Sequence, residues 1–313
     1  MQKEINHLTI LALENAQKIL QKGDLVGLPT ETVYGLAANA LSDAAVAKIY
    51  ALKERPLFNP LIAHFANTDE AKKYVQFNKW AESLAKAFWP GPLTLILEKK
   101  KECGISLLAT AGLNTLAIRV PAHPIAQQIL QGLGFPLVAP SANPSESLSP
   151  TTAQHVKTSF PDLFVIDGGP CTIGLESTIV DLTGEKPAIL RPGLLTKNDI
   201  QKVLSLNLAD KIDGASIKAP GQLKRHYAPS IPLRLNISQL QEDEALLSFG
   251  PHTLTAQKEI NLSSTGNLEE AAANLFSALA ELDSSRCKRI AVMPLPNDGI
   301  GLAINDRLKR ASS

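Results

Sequence analysis

Short apolar runs separated by polar, proline-bearing turns are the feature that most restricts what this chain can fold into. The first is Leu25-Val26-Gly27-Leu28, and others of the same kind fall at 61–65, 93–98, 115–120, 137–139, 163–167, 178–182 and 188–190. Each is too short for a stable helix and is rich in aliphatic residues, so each predicts a buried or half-buried strand. Between them the spacing changes to the helical period. Ile10, Leu13, Ala16, Ile19 and Leu20 recur on one helical face over 9–22, with Gly23 at the stop. Ser42 caps an alanine-rich helix running to Glu54, and further helices are predicted at 71–75, 80–88, 124–130 and 152–158. Strands interleaved with helices specify an α/β or α+β protein rather than a bundle or a sandwich.

The pattern lapses between 207 and 230, where Asp213-Gly214-Ala215-Ser216 and Ala219-Pro220-Gly221 have linker composition. Beyond it, strands at 245–249 and 289–293 flank a helix at 267–282, and a last helix is predicted at 302–310. The 313 residues therefore divide into a larger unit, 1–206, a connecting segment, 207–230, and a small α/β unit, 231–313. Lys and Arg number 31 against 30 Asp and Glu, a net charge of +1, so no global positive field exists to drive nucleic-acid binding. Residues 231–313 carry 8 basic and 10 acidic side chains and form no basic arm. No apolar run approaches the ~18 residues a membrane helix needs, and the N-terminus opens no signal peptide, which predicts a cytoplasmic protein. Cys103, Cys171 and Cys287 are odd in number and far apart, so they predict packing thiols rather than disulfides or a zinc site.

Phosphate-binding loops of the common kinds are absent. There is no G-x-x-x-x-G-K-[ST], and Gly299-x-Gly301 follows no convincing strand. Chemistry must come from polar clusters at strand ends. Pro29 to Leu36 places Thr30, Glu31, Thr32 and Tyr34 just after the first strand, either as a ligand-orienting loop or as an ordinary strand-to-helix connection. Lys53-Glu54-Arg55 ends a helix and leads into Pro56-Leu57-Phe58-Asn59-Pro60, which reads either as charge complementing the helix dipole or as a phosphate clamp. His64 sits in an apolar strand, where a satisfied core residue is the commoner outcome. Arg119, in Thr115-Leu116-Ala117-Ile118-Arg119, needs an anion if it is buried. Pro140-Ser141-Ala142-Asn143-Pro144-Ser145, Glu176-Ser177-Thr178 and Arg191-Pro192-Gly193 repeat the pattern at other strand ends. No nucleophile–base pair stands out. Taken together the clusters describe a polyanion site acting by orientation and electrostatics, which favours nucleotidyl transfer.

PTETVYGL, the K-x-R followed by RPLFNPL, TLAIRVP, PSANPS, ESTIVD and LRPG, in this order and spacing, resemble the threonylcarbamoyl-AMP synthases, whose catalytic domain is of the YrdC type. Gly221 to Pro229, together with Ala303-Ile304-Asn305-Asp306-Arg307-Leu308, resembles the two-domain branch of that family. The resemblance implies a twisted mixed-sheet α/β domain with a large concave cationic cavity, plus a small Rossmann-like C-terminal domain. It implies a transferase making threonylcarbamoyl-AMP and pyrophosphate from L-threonine, bicarbonate and ATP, with Mg²⁺ carried on the ATP phosphates and no metal residue named. The activated group would then pass through partner proteins to an adenosine beside the anticodon of tRNA, which this chain would meet indirectly or weakly. Carried over by position, Thr32, His64, Arg119 and Ser177 are implied to hold threonine. Arg55, Asn59, Thr115, Ser141, Asn143, Ser149 and Arg191 are implied to hold ATP, with Tyr227 reaching over the nucleotide from the connecting segment. Lys53, Arg55, Ser141 and Asn143 form the implied catalytic quartet.

Two other readings compete. A carbamoyl-transfer relative would carry extra acylphosphatase-like or zinc modules, for which this chain lacks the length and the cysteines. A non-catalytic module binding structured RNA would suit a concave cationic surface, but the near-zero net charge and 5% aromatic content weigh against it. The basic residues Lys218, Lys224 and Arg225 beside His226-Tyr227 make 207–230 a candidate lid, with a mere tether between the two units as the alternative.

Overall fold

The computed structural model describes residues 7–209, 218–221 and 225–313. Lys224 and the linker-like stretch 211–216 lie outside the described residues. The first unit runs α1 (His7–Gln21), β1 (Val26–Leu28), β2 (Gly35–Asn39), α2 (Asp43–Lys53), β3 (Ile62–His64), α3 (Thr68–Lys72), α4 (Lys79–Phe88), β4 (Leu93–Glu98) and β5 (Thr115–Arg119). It continues with α5 (Pro124–Leu133), β6 (Leu137–Val138), α6 (Ala153–Ser159), β7 (Phe164–Val165), β8 (Thr178–Asp181), β9 (Ala188–Arg191) and α7 (Lys197–Leu204). The second unit contains β10 (Leu233–Arg234), β11 (Glu244–Ser248), β12 (Glu259–Asn261), α8 (Leu268–Asp283), β13 (Arg289–Val292) and α9 (Gly301–Ala311).

Helix starts follow the capping rules that the sequence obeys. Ser42 accepts from the Ala45 amide at the head of α2, Asn78 from Trp80 and Ala81 at α4, and Asn267 from Glu270 at α8. A Thr196–Asp199 capping box opens α7, a helix the apolar pattern did not predict because Ile200 is its one buried residue. The helix predicted at 71–75 lies a few residues earlier, because Asn67 caps it. Pro29 to Leu36 is not a strand-to-helix connection: Gly35 and Leu36 already belong to β2, which turns back antiparallel on β1.

β1 to β9 form one mixed sheet in the order β7-β1-β2-β6-β3-β5-β4-β8-β9. Side-chain alternation divides its central strands. Ala63, Leu95, Leu97, Ile118 and Val180 face the main core beneath α2 and α4, while Ile62, Ile96, Ala117 and Ile179 face the other way and pack on Ala219. α1 and α5 close a separate core over β1, β2 and β6. The second sheet, β10-β13-β11-β12, is wholly parallel, and α8 and α9 cover it. The two units share apolar contacts: Val33 and Leu175 of the first pack into the core of the second, together with Tyr227. Gly174 sits so close to α8 that a Cβ there would lie 2.4 Å from the Ala273 carbonyl oxygen. Among the described residues no helix is long and apolar enough to cross a membrane, and Cys103, Cys171 and Cys287 are all free.

Candidate active site

Sheet parity brings the first site residues together. β3 and β5 pair in parallel with His64 opposite Arg119, and Arg119 also pairs with Thr94 across the antiparallel β4–β5 ladder. All three alternate away from the main core, onto the face that Ala219 covers. The mouth of this concavity is spanned by residues 218–221 and 225–229. Lys218 Nζ ties down one end, 2.9 Å from Asp181 Oδ2, and the Ala228 amide donates to the Glu146 carbonyl at 2.8 Å at the other.

The cavity left beneath them is about 40 Å³ and is lined by Thr32, Arg55, His64, Arg119, Ser141, Ser177, Arg191 and Tyr227 among the residues singled out from sequence, with Glu176, Gly221 and His226 beside them. That is room for a few water molecules, each of which needs about 10–15 Å³ of such space. The large concavity expected here is therefore filled by the spanning segment. Tyr227 is its main plug, with a backbone φ of +63° and a side chain 1% exposed. A Cβ on Gly221 (φ +82°) would stand 2.9 Å from Arg191 Cδ and 3.0 Å from the Tyr227 hydroxyl, so glycine allows the backbone to lie against both.

Each charged wall residue is already held. Arg119 donates to Glu31 at 2.6 Å, to the Thr32 hydroxyl at 2.9 Å and to the Gly91 carbonyl at 3.3 Å. The anion its burial demands is thus Glu31, a neighbour of Thr32 in the β1–β2 loop. Burial raises the Glu31 carboxyl, but the Arg119 charge and hydrogen bond outweigh it and hold the group below its ordinary value. Arg55 donates to the Asn59 and Pro60 carbonyls, and burial lowers its guanidinium to about 10. Arg191 donates to both the carbonyl and the hydroxyl of Ser177 at 3.1 Å, and that hydroxyl lies 2.7 Å from Thr94 Oγ1. His64 Nδ1 lies 3.1 Å from the Ile62 carbonyl, which can only accept, so Nδ1 carries the proton and Nε2 is left as an acceptor. Burial, followed by the Arg119 charge, pushes the His64 pKa down to about 3, so the ring is neutral.

The remaining residues singled out from sequence lie outside the cavity wall. Lys53, the last residue of α2, is fully buried, and its ammonium donates to the Ser141 carbonyl at 2.6 Å and to the Asn143 carbonyl. It braces the loop that presents Ser141. Burial and the Arg55 charge lower its pKa well below the usual lysine value. Asn59 and Asn143 are buried with Oδ1 atoms that have no hydrogen-bond partner among the described residues. Thr115 shares the face of Arg119 but stands four residues down β5, about 13 Å away along the strand. Ser149 lines a separate groove of about 830 Å³ between the two units, and its hydroxyl donates to Glu176. Three participants were given no role from sequence: Thr94, Glu176, and Arg307 of α9, whose Nε donates to Glu176 at 3.0 Å. Thr94 was legible, since in 93–98 it alternates away from Leu93 and Leu95 onto the face of His64.

The geometry is that of a closed, cation-rich cavity with hydroxyls and a neutral imidazole in its wall, suited to orienting an oxyanion substrate. Residues 18–193 match the family model that spans Sua5, YciO and YrdC proteins and is described as telomere recombination, and residues 195–313 match that of the threonylcarbamoyl-AMP synthase C-terminal domain. The threonylcarbamoyl-AMP synthase of Pyrococcus abyssi is 40% identical over 95% of this chain and 93% of its own length, and that of Bacillus subtilis is 37% identical over 96% and 92%. The crystal structure of P. abyssi Sua5 complexed with L-threonine superposes with a TM-score of 0.87 at 37% identity, covering 96% of this chain and 94% of that one. Both sheets, the cavity on the face of the first and matches along nearly the whole length agree: this chain belongs to the two-domain threonylcarbamoyl-AMP synthase family.

Proposed function

We propose that this protein condenses L-threonine, bicarbonate and ATP into threonylcarbamoyl-AMP and pyrophosphate in the cavity beneath residues 218–221 and 225–227. The observation that carries this reading is the convergence of Arg55, Arg119 and Arg191 with the Thr32, Ser141 and Ser177 hydroxyls on one enclosed volume. The threonine nitrogen attacks the carbonate carbon, and oxygen leaves as water to give the carbamate. A carbamate oxygen then attacks the α-phosphorus in line, and the bond to pyrophosphate breaks. Both steps gather negative charge, which fixed guanidiniums stabilise without reorganisation.

Thr32, His64, Arg119 and Ser177 hold threonine in this scheme. The neutral His64 ring accepts a hydrogen bond at Nε2 and orients the amino group rather than deprotonating it, because a pKa near 3 makes it a poor base. Arg55, Asn59, Thr115, Ser141, Asn143, Ser149, Arg191 and Tyr227 serve the nucleotide. The unpartnered Oδ1 atoms of Asn59 and Asn143 support that role, since buried acceptors normally have donors. Lys53, with Arg55, Ser141 and Asn143, keeps the catalytic loop in place. Mg²⁺ enters on the ATP phosphates as part of the substrate. Glu176 in the cavity wall, and Glu31 beside Arg119, each pair with an arginine, which suits a metal bound through phosphate oxygens.

A nucleotide exceeds 40 Å³ many times over, so residues 218–221 and 225–229 act as a lid that withdraws Tyr227 to admit ATP and returns to exclude water from the labile anhydride. The product passes to proteins that modify tRNA in the cytoplasm, with tRNA met only indirectly. Mass spectrometry of the products from ATP, threonine and bicarbonate tests the reaction. Threonylcarbamoyl-AMP and threonine-dependent pyrophosphate are expected, and ATP consumption independent of threonine would overturn it.

A further inference from the structure

Arg307 belongs to α9 of the second unit, yet its side chain is 0% exposed and reaches the wall of the cavity in the first. Nε donates to Glu176 Oε2 at 3.0 Å, and Nη1 donates to the Pro192 carbonyl at 2.7 Å and to Asp306 Oδ2 at 3.2 Å. The guanidinium carbon lies 5.4 Å from the centre of the Tyr227 ring. Nη2 has no hydrogen-bond partner among the described residues. The other oxygen of Glu176 accepts from Ser149, so this carboxylate links the cavity, the interdomain groove and the second unit.

A buried carboxylate is an awkward neighbour for a polyphosphate. Left unpaired at the wall, it repels phosphate oxygens and draws the nearby Arg191 guanidinium onto itself, and the low local dielectric magnifies both effects. Arg119 answers the same difficulty at Glu31 from within the first unit. At Glu176 the answering cation comes from 131 residues away.

We infer that Arg307 is a positioning residue for the nucleotide: the C-terminal unit inserts it to neutralise Glu176 and hold it on Ser149, leaving Arg55 and Arg191 to the phosphates. The inference rests on the functional reading above and deepens it, because it gives the second unit a part in ATP recognition. The lowered pKa of Glu176, which burial raises and Arg307 and then Arg191 depress, agrees with a carboxylate kept ionised by paired cations.

The test is Arg307→Met, alone and with Glu176→Gln, in the full chain. Alone, it strands a buried charge, so the KM for ATP is expected to rise about tenfold or more while the KM for threonine stays within about threefold. Glu176→Gln in the same chain removes the stranded charge and is expected to return the ATP value to within about threefold of the parent. Arg307→Lys keeps the cation but loses the planar fork that reaches both Glu176 and the Pro192 carbonyl, so a smaller rise in the KM for ATP than in Arg307→Met is expected, and it supplies the comparison should Arg307→Met fail to fold. Equal rises in both KM values, or no rescue by Glu176→Gln, would overturn the inference; a merely structural strut would share the rescue but offers no reason for ATP to suffer and threonine not. ATP binding by titration calorimetry on the same proteins separates the two readings. A parent chain without threonine-dependent pyrophosphate release counts against the reaction, whereas unchanged ATP affinity in Arg307→Met counts against Arg307.

Discussion

Glu31→Gln removes one charge from the Glu31–Arg119 pair with almost no change of shape, and its cost can be worked from the surroundings. The two side chains are 10% and 5% exposed and meet at 2.6 Å, so the pair is not among surface bridges worth at most about 1 kcal/mol. Breaking a buried pair by removing one partner costs about 3–5 kcal/mol, because the other charge is left uncompensated. Here Arg119 keeps the Thr32 hydroxyl and the Gly91 carbonyl, and the new amide oxygen can still accept, so a loss of about 2–4 kcal/mol is expected. The pH dependence has a definite sign. The folded-state pKa of Glu31 lies below the ordinary 4.5, so its contribution is fully present above that value and is lost as pH falls through the folded value. Urea unfolding of ligand-free protein, followed by tryptophan fluorescence, is the assay. Trp80 and Trp89 lie in and just after α4 and therefore report the first unit alone. The gap between parent and variant should be constant from about pH 6 to 8 and narrow below about 4.5. A gap under about 1 kcal/mol at pH 7, or one that widens on acidification, would show that the pair contributes nothing net to the fold.

Threonine should be preferred over valine by about a hundredfold or more in kcat/KM, since the Thr32 and Ser177 hydroxyls would be left facing a methyl group; equal use of the two amino acids in competition would refute hydroxyl recognition. Lys53→Arg should lower kcat about a hundredfold, because a planar fork cannot replace a compact ammonium seated between the Ser141 and Asn143 carbonyls; turnover within threefold of the parent would remove Lys53 from the catalytic frame. Gly174→Ala, at φ +69° and against the Ala273 carbonyl, should destabilise the contact between the two units by about 2 kcal/mol or more, seen as faster proteolysis between them; unchanged proteolysis would show that the interface yields freely.

Two-residue alternation made much of the site legible before any fold was in hand. Once 61–65 and 115–120 are read as strands, His64 and Arg119 must each alternate away from aliphatic neighbours, and a polar side chain on that face announces a second, wetter surface. The pairing between such residues was not legible. That Arg119 meets Glu31, and His64 stands opposite Arg119, depends on strand order across the sheet, which local pattern does not encode. The closed state of the cavity was hidden for a different reason. It depends on Tyr227 in a left-handed backbone conformation that a non-glycine residue adopts only where its surroundings enforce it, and here Phe276 and Arg307 of the second unit flank its ring. Arg307 lies between these cases. Ala303, Ile304, Arg307 and Leu308 share one face of α9, all of them buried, so an arginine stands where the helical period demands an apolar residue. Charged residues are almost never fully buried without a partner, so that position alone called for an acid beside it. Spacing along α9 could say that such an acid must exist; only the packing of the two units could single out Glu176 at the wall of the cavity.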